Sequence, residues 1–315
     1  MLLGAQRFDP TLGAAAQELG IEGPIATITA GWQERESEDA ELHEHLGKRT
    51  VNLRLHRRAE DVFKRDPELH AAHRKKQDIL RHKQDFYRIR LEHELAANHV
   101  IHQRQAPPEI LAEELSASLG AIQSLDEYHL RQCARVEAEY DAAEQPFHRP
   151  AVARHRKQIA ETLRTCAAVA IAGGHVATLL NRLRLFGIAE LLDGQAVLAW
   201  SAGAMAVSDR VVLFHDSPPQ GQGASEVLDR GLALCPGVVP LPSPETRLRL
   251  DDPERVTLMA RRFAPARCLA LPARARITWR DARFENPYQV LRLREDGTRV
   301  PVQSTDDMTT PASPT

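Results

Sequence analysis

The most informative stretch of the chain is Ala196-Val197-Leu198-Ala199-Trp200-Ser201-Ala202-Gly203-Ala204. Its first five residues are an apolar run, which predicts a buried strand. The small residues that follow predict a sharp turn into a helix, and such a turn aims the Ser201 hydroxyl away from the sheet. The backbone N–H of Ala202 would then face a developing oxyanion. The pattern indicates a nucleophile elbow, although an ordinary strand–turn–helix junction has a similar sequence.

A second turn of this kind lies upstream at Gly173-Gly174. It follows the apolar run Ala167–Ala172, a predicted strand, and precedes His175 and a predicted helix over Val176–Leu185. In an open parallel sheet both turns lie at the carboxyl edge, where ligands bind. The glycine N–H groups are therefore candidates for holding an oxyanion or a carboxylate. The alternative is a plain glycine turn before a helix.

A third candidate cluster follows the first predicted strand, Ile25–Thr29. Trp32 and Arg35 are candidates for contacts with a substrate carboxylate or amide, because arginine binds carboxylates through paired hydrogen bonds. The alternative is a helical turn whose charges are solvated. The acidic stretch Glu34–Gly47 predicts a helix and Val51–Leu55 a second strand, which makes a strand–helix–strand unit.

Residues 60–150 have a different character. Leucine, isoleucine and tyrosine recur there at three-, four- and seven-residue steps between charged residues, which predicts long amphipathic helices. Pro107 and Pro108 break the run and suit the start of a second helix, so we expect an antiparallel hairpin with arms of about 30–35 residues. This block is interpreted as an insertion packed on the domain, or as an arm for a homodimer or another protein partner. Its interspersed acidic residues argue against nucleic-acid binding.

Together these segments predict an α/β fold, a three-layer sandwich with a mainly parallel sheet that carries a long helical hairpin. Residues 1–59 would form the first part of the α/β domain, 60–150 the hairpin, and 151–302 the remainder with the elbow. Residues 303–315 are rich in Ser, Thr and Pro, which predicts a disordered tail. Further short strands are expected at Val211–Phe214, Val238–Val239, Cys268–Leu271, Arg276–Trp279 and Tyr288–Leu293.

Composition argues against several classes of protein. The 315 residues include 41 Lys and Arg against 43 Asp and Glu, a net charge of −2, which does not favour nucleic acid as a partner. No apolar run reaches the length of about 20 residues that a membrane helix needs, and the first ten residues lack the pattern of a secretory signal. The four cysteines are far apart and form no CxxC pair. We expect reduced thiols in a cytoplasmic protein, and neither a metal site nor a disulfide framework.

Four of these segments resemble one known family. The Gly173-Gly174 turn, Leu179-Leu180-Asn181-Arg182-Leu183, Trp200–Ala204 and Gly231–Val239 are similar to the dipeptidase E and cyanophycinase family of serine peptidases. The similarity covers roughly residues 167–279. The resemblance implies a class I glutamine amidotransferase-like fold, which is flavodoxin-like. It also implies hydrolysis of aspartyl or isoaspartyl peptide bonds by a serine, without a metal or organic cofactor.

The resemblance assigns roles to several residues. Ser201 would be the nucleophile, Gly174 and Ala202 the oxyanion donors, and Asp216 the acidic partner, with Gly173 beside the substrate. The family histidine would follow Gly231–Val239, and no histidine is found there.

All 14 histidines lie at or before His215. A serine hydroxyl needs an adjacent base, so His175 or His215 would have to act as a displaced one. Without that role, His175 is a helix-start residue and His215 a loop residue. Two hypotheses follow: a peptidase-like enzyme for a small peptide or amino-acid-derived ligand, or a non-catalytic scaffold or ligand sensor that binds partners through the hairpin.

Overall fold

The computed structural model describes residues 1–216 and 223–303. The predicted disordered tail lies outside these residues from position 304 onward. The helices of the described residues are α1 (Leu12–Glu18), α2 (Ala40–His45), α3 (Leu55–Arg65), α4 (Pro67–His102), α5 (Pro108–Glu144), α6 (Pro150–Arg164), α7 (Val176–Leu185), α8 (Ile188–Leu191), α9 (Ala202–Val207), α10 (Pro244–Arg247) and α11 (Pro253–Phe263), with 3-10 helices at Ala30–Arg35 and Pro146–His148. The strands are β1 (Leu2–Leu3), β2 (Ile25–Ile28), β3 (Thr50–Asn52), β4 (Ala168–Ile171), β5 (Ala196–Trp200), β6 (Arg210–Leu213), β7 (Glu226–Arg230), β8 (Val238–Pro242), β9 (Arg267–Leu271), β10 (Arg276–Arg280), β11 (Arg283–Tyr288), β12 (Leu291–Leu293) and β13 (Arg299–Pro301).

A seven-stranded sheet in the order β11-β10-β1-β5-β4-β2-β3 forms the centre of the fold. Strands β1, β5, β4, β2 and β3 run parallel, and β10 and β11 run antiparallel to their neighbours. Ile28 pairs with Ile171, and Ile171 pairs with Ala199. The carboxyl ends of β2, β4 and β5 are therefore level at one edge. This confirms the predicted mixed α/β fold with a mainly parallel sheet.

Helices cover both faces of this sheet. Val169 and Ile171 join one apolar core with residues of α3, α6 and α7. Ala168 and Ala170 join a separate core with residues of α1 and α2. Side chains alternate between the two faces along a strand, so β4 is buried on both sides. Burial on both sides is why such strands read as continuous apolar runs in the sequence.

The predicted helical hairpin is confirmed. Helices α4 and α5 have 36 and 37 residues and are separated by the short segment that contains Pro107. The preceding strand was predicted too long, because β3 ends at Asn52 and Leu55 already begins α3. The carboxylate of Glu36 accepts the N–H groups of His56 and Arg57, each at 2.9 Å, which satisfies the first donors of α3.

Two other segments differ from the predictions. The single helix expected over Glu34–Gly47 is divided into the 3-10 helix that ends at Arg35 and α2, which begins at Ala40. The single strand expected over Tyr288–Leu293 is divided into β11 and β12, which belong to different sheets. Gln289, between them, has a positive φ of 54°. The chain therefore turns at Gln289, although the run Tyr288–Leu293 reads as one continuous strand in the sequence.

A buried polar network ties the hairpin to the rest of the structure. The Arg262 guanidinium of α11 donates to both carboxylate oxygens of Asp126 at 2.7 Å and to the Tyr87 hydroxyl at 2.9 Å. It also donates to the Ser225 carbonyl at 2.7 Å. The Tyr87 hydroxyl donates to Asp126 and accepts from the Val227 N–H. Over this part of its length the hairpin is packed on the domain.

None of the helices in the described residues combines the length and the apolar character needed to cross a membrane. All four cysteines have free, buried thiols. Burial raises the pKa of Cys133, Cys235 and Cys268 to about 12. These thiols therefore stay protonated and contribute packing rather than reactivity.

Candidate functional site

Ser201 lies at the sharp turn between β5 and α9. Its φ of 51° and ψ of −123° are outside the regions that residues with a side chain normally occupy. Strain of this kind persists where the surrounding structure enforces it, and it concentrates at functional sites. The next turn of chain is pressed against β4, because a Cβ atom at Gly203 would lie 2.2 Å from the carbonyl oxygen of Ile171. This contact between backbones holds the turn in place.

The Gly173-Gly174 turn lies directly against Ser201. A Cβ atom at residue 173 would lie 2.7 Å from the Ser201 Cβ and 3.4 Å from its Oγ. Gly174 has a φ of 111°, and a Cβ there would lie 2.3 Å from the Gly31 carbonyl oxygen. The N–H of His175 donates to that same oxygen at 2.8 Å. The turns that follow β2, β4 and β5 are thus packed backbone to backbone at one edge of the sheet.

Three backbone N–H groups beside Ser201 are available to a ligand. Ala202 is the first residue of α9, where an N–H has no acceptor within the helix. Within residues 1–216 and 223–303, the N–H groups of Gly173 and Gly174 have no acceptor either. A Cβ at residue 173 would lie 3.4 Å from the Ala202 nitrogen, so these donors are close together. Clustered backbone donors of this kind suit an oxyanion.

Ser201 lines an open cleft of about 1120 Å³. The residues predicted to contact substrate, Trp32 and Arg35, line the same cleft. Arg35 is exposed and forms an ion pair with Glu38 at 2.6 Å. Other lining residues that bear on the chemistry are Arg7, His45, Gly173, Gly174, Ala202, Phe214, His215, Ser243 and Arg247. The cleft therefore combines a strained serine, backbone donors, imidazoles and guanidinium groups.

His175 has a structural role at the start of α7. Its Nδ1 accepts the Thr178 N–H at 3.2 Å and lies 3.0 Å from the Thr178 hydroxyl. Gln33 donates to that hydroxyl at 3.0 Å. His175 is thus the N-cap of α7, the alternative that the sequence also allowed. His175 and His215 are the two candidates for a displaced base. Among the described residues that line the cleft, His215 is found and His175 is not.

His215 and Asp216 separate at the end of β6. His215 is half-buried and lines the cleft with Ser201. Asp216 is buried, accepts the Arg249 N–H at 2.9 Å and forms an ion pair with the Arg255 guanidinium. Among the described residues that line the cleft, Asp216 is not found. The structure therefore brings His215 to Ser201's cleft and turns Asp216 towards two arginines.

Two further residues of the cleft were not predicted from the sequence. Ser243 follows β8 with a φ of 53° and lines the cleft, so a serine stands near where the resemblance implies a histidine. The strand was predicted only over Val238–Val239, and the longer apolar run Val238–Pro242, which ends directly before Ser243, was a usable signal. His45, the last residue of α2, also lines the cleft. No local pattern distinguishes His45 from its neighbours, because only the tertiary fold brings α2 to this edge.

Comparison of the chain with protein-family models and with curated proteins finds no match. Assignment to the dipeptidase E and cyanophycinase family is therefore a proposal. In the portion of the chain that the structure describes, no group of three or more His, Cys, Asp or Glu side chains is placed to hold a metal ion.

Proposed function

We propose that this protein is a serine-peptidase-like member of the dipeptidase E and cyanophycinase family. Its sheet with helices on both faces would then be the three-layer sandwich of the class I glutamine amidotransferase-like fold. The observation that carries the proposal is the backbone of Ser201, strained and surrounded by available N–H groups. Such strain costs about 1–3 kcal/mol, and a serine that only filled space would not require it.

In the proposed reaction the Ser201 Oγ attacks the carbonyl carbon of a small peptide. The carbonyl π electrons move to oxygen, and the oxyanion accepts hydrogen bonds from the N–H groups of Ala202 and Gly174. The hydroxyl proton passes to His215, the imidazole at the end of β6 that lines the cleft. His215 then protonates the leaving amine as the C–N bond breaks. Water attacks the resulting ester, which releases the acid and restores Ser201.

The environment of Asp216 predicts slow turnover. In a complete triad a carboxylate orients the imidazole and stabilises its charged form. Here the Asp216 carboxylate is held by Arg255 and the Arg249 N–H. Loss of a triad member typically lowers the rate by several orders of magnitude. The backbone donors and substrate binding would supply the remaining rate enhancement.

Three guanidinium groups of the cleft are candidates for binding an acidic substrate. Arg7, Arg35 and Arg247 line it, and each can bind a carboxylate through paired hydrogen bonds. Five carboxyl groups of the described residues line the same cleft, those of Asp9, Glu38, Glu41, Glu226 and Glu245, so selection of an acidic substrate would rest on the local contacts of these arginines. An aspartyl or isoaspartyl peptide would present such a carboxylate near the bond to be cleaved. Arg35 would have to exchange its ion pair with Glu38 for the ligand.

The proposal is tested by incubating the protein with aspartyl and isoaspartyl dipeptides and with a neutral dipeptide as control. We expect slow release of amino acid from an acidic dipeptide, abolished in Ser201→Ala and reduced in His215→Gln. His45→Gln should keep the wild-type rate. Release that survives in Ser201→Ala contradicts the role of Ser201, and equal rates in both histidine variants contradict the role of His215.

A non-catalytic ligand sensor is the second candidate. The Ser201 side chain forms no capping hydrogen bond with α9, and a serine, Ser243, stands near where the resemblance implies a histidine. A sensor would bind an acidic dipeptide with a rise in melting temperature of equal size in the wild type and in Ser201→Ala, and it would release no product. In either case, the four buried free thiols favour a reducing compartment such as the cytoplasm.

A further inference from the structure

Helix α4 has a second apolar face that points to solvent. Ile79, Phe86, Ile89 and Val100 are 38%, 69%, 53% and 49% exposed. Single exposed apolar residues are normal on protein surfaces, but a continuous apolar stripe marks a contact surface. These four residues lie on one side of a helix whose opposite side is already packed on the protein.

The residues of this face follow a heptad repeat. Positions 79, 86, 93 and 100 are seven residues apart, and 82, 89 and 96 fall between them at alternating steps of three and four. We call this set the α4 seam; it comprises Ile79, His82, Phe86, Ile89, His93, Ala96 and Val100, all of them exposed. It extends about 33 Å along the helix and covers three heptads, the lower limit for predicting a coiled coil.

The other sides of α4 are already occupied. Lys76 forms an ion pair with Glu137 of α5 at 2.8 Å, and Tyr87 donates to Asp126 of the same helix. Gln84 donates to Glu226 of β7 at 3.0 Å. These contacts account for the sides of α4 that face α5 and the domain. Among residues 1–216 and 223–303, no element covers the seam, because all seven of its residues are exposed.

The charges beside the seam show which partner fits it. Asp78, Asp85 and Glu92 lie along one margin, where Asp78 and Asp85 form exposed ion pairs with Arg81 and Arg88 of the same helix. Lys83 and Arg90 lie along the other margin, where Lys83 donates to Gln132 of α5 and Arg90 lies over the Tyr128 ring. In a dimer these charges would exchange such contacts for contacts with the second copy. In a parallel pair of helices, a residue of the first margin faces the residue five positions later on the second copy. Asp78 would then face Lys83, and Asp85 would face Arg90. In an antiparallel pair each margin would face the same margin of the second copy, so like charges would repel.

We propose that two copies of this chain associate through the α4 seam as a short parallel coiled coil. Phe86 and Ile89, the most exposed of its large apolar residues, form its centre. His82 and His93 each face their counterpart in the second copy. Polar residues at single seam positions fix the register and orientation of a coiled coil and lower its stability. The association is independent of the chemistry at Ser201.

The first test measures the mass of the full chain by analytical ultracentrifugation over a micromolar concentration series. We expect a reversible dimer whose dissociation constant rises about 30-fold or more in Phe86→Glu, the effect of a central interface residue. Ile110→Glu is the matched control, because Ile110 is 51% exposed on α5 and lies off the seam. Phe86 is exposed, so the variant should fold normally. A monomeric wild type, or a dimer that Phe86→Glu leaves intact, overturns the proposal.

The second test examines the parallel orientation by exchanging charges. Asp85→Lys and Arg90→Glu should each raise the dissociation constant about fivefold, because each change places like charges together twice in the dimer. The double variant should return to the wild-type value. Glu113→Lys, on the exposed surface of α5, controls for net charge. Single variants without effect, or a double variant that stays weak, overturn the parallel arrangement.

Discussion

Gly173 and Ser201 approach each other so closely that a Cβ atom at residue 173 would lie 2.7 Å from the Cβ of Ser201. The turn after β4 and the turn after β5 are therefore built as one unit. The strained backbone of Ser201 brings its side chain against a residue that has none. A substitution at either residue must therefore alter the position of the other.

Replacing Gly173 by alanine tests this contact. We expect Gly173→Ala to lower the free energy of unfolding by about 1–3 kcal/mol, because the new methyl group must displace the Ser201 turn. Reaction of Ser201 with a serine-directed probe should fall in parallel. Gly120→Ala is the matched control, since a Cβ atom there would meet nothing within 4 Å. It lies inside α5, where alanine is favoured by about 1 kcal/mol over glycine. Equal stability of the two variants in urea denaturation contradicts the account.

The strain at Ser201 has its own test. Glycine tolerates the positive φ, so Ser201→Gly should release about 1–3 kcal/mol of strain, offset in part by the greater freedom of the unfolded chain. We expect a net gain of about 1 kcal/mol over Ser201→Ala, which keeps the strain. Thermal and chemical unfolding of both variants measure the difference. If the Ser201→Gly variant is less stable than the Ser201→Ala variant, the turn is not strained.

The buried network beneath the hairpin should be costly to break. Asp126→Asn leaves the buried Arg262 guanidinium without its compensating charge, and we expect a loss of about 3–5 kcal/mol. The double variant Asp126→Leu with Arg262→Met should lose clearly less than the sum of its single changes, because no charge is left unpaired. A double-mutant cycle in urea measures this coupling, and an additive result would contradict it.

His73 should make the protein sensitive to acid. It is buried between the rings of Phe63 and Tyr140. Burial, together with the nearby charges of Lys76, Arg182 and His70, lowers the pKa of His73 to about 3, and burial is the largest cause. The unfolded chain takes up this proton near pH 6.5 and the folded protein only near pH 3, so stability falls between these values as acid is added.

The slope contributed by His73 is about 1.4 kcal/mol per pH unit in that range. His73→Phe keeps an aromatic ring and removes the proton site, so its stability should depend less steeply on pH. Burial also lowers the pKa of His129. It lowers the pKa of His155 as well, although the hydrogen bond to Asp61 partly opposes this shift. The variant should therefore keep part of the slope. Parallel curves of unfolding free energy against pH for the two proteins would exclude the role of His73.

Much of the fold could be predicted because its decisive elements are local patterns. The run Ala196–Trp200 and the periodic stretch Val176–Leu185 are bounded by small residues and turns, and both match the observed elements residue for residue. Strand β1 was missed because Leu2–Leu3 is too short to show any period. Its place in the sheet is set by β5 and β10, far away in the sequence.

The site was predicted to the extent that the sheet edge determines it. Ser201 and Gly173 follow adjacent parallel strands, so the structure brings them together for a reason visible in the sequence. The environment of Asp216 could not be foreseen, because its partners Arg249 and Arg255 arrive from a later segment. The same holds for His45, which only the packing of α2 places in the cleft.

The reactivity of the Ser201 hydroxyl is the most direct test of the proposed chemistry. Folded protein is treated with a fluorophosphonate, and the labelled residue is located by tandem mass spectrometry. We predict one adduct per chain, on Ser201, absent in Ser201→Ala and retained in Ser243→Ala, where the other positive-φ serine of the cleft is removed. Folded protein that stays unlabelled from acidic to alkaline pH, or an adduct that persists in Ser201→Ala, would contradict the account.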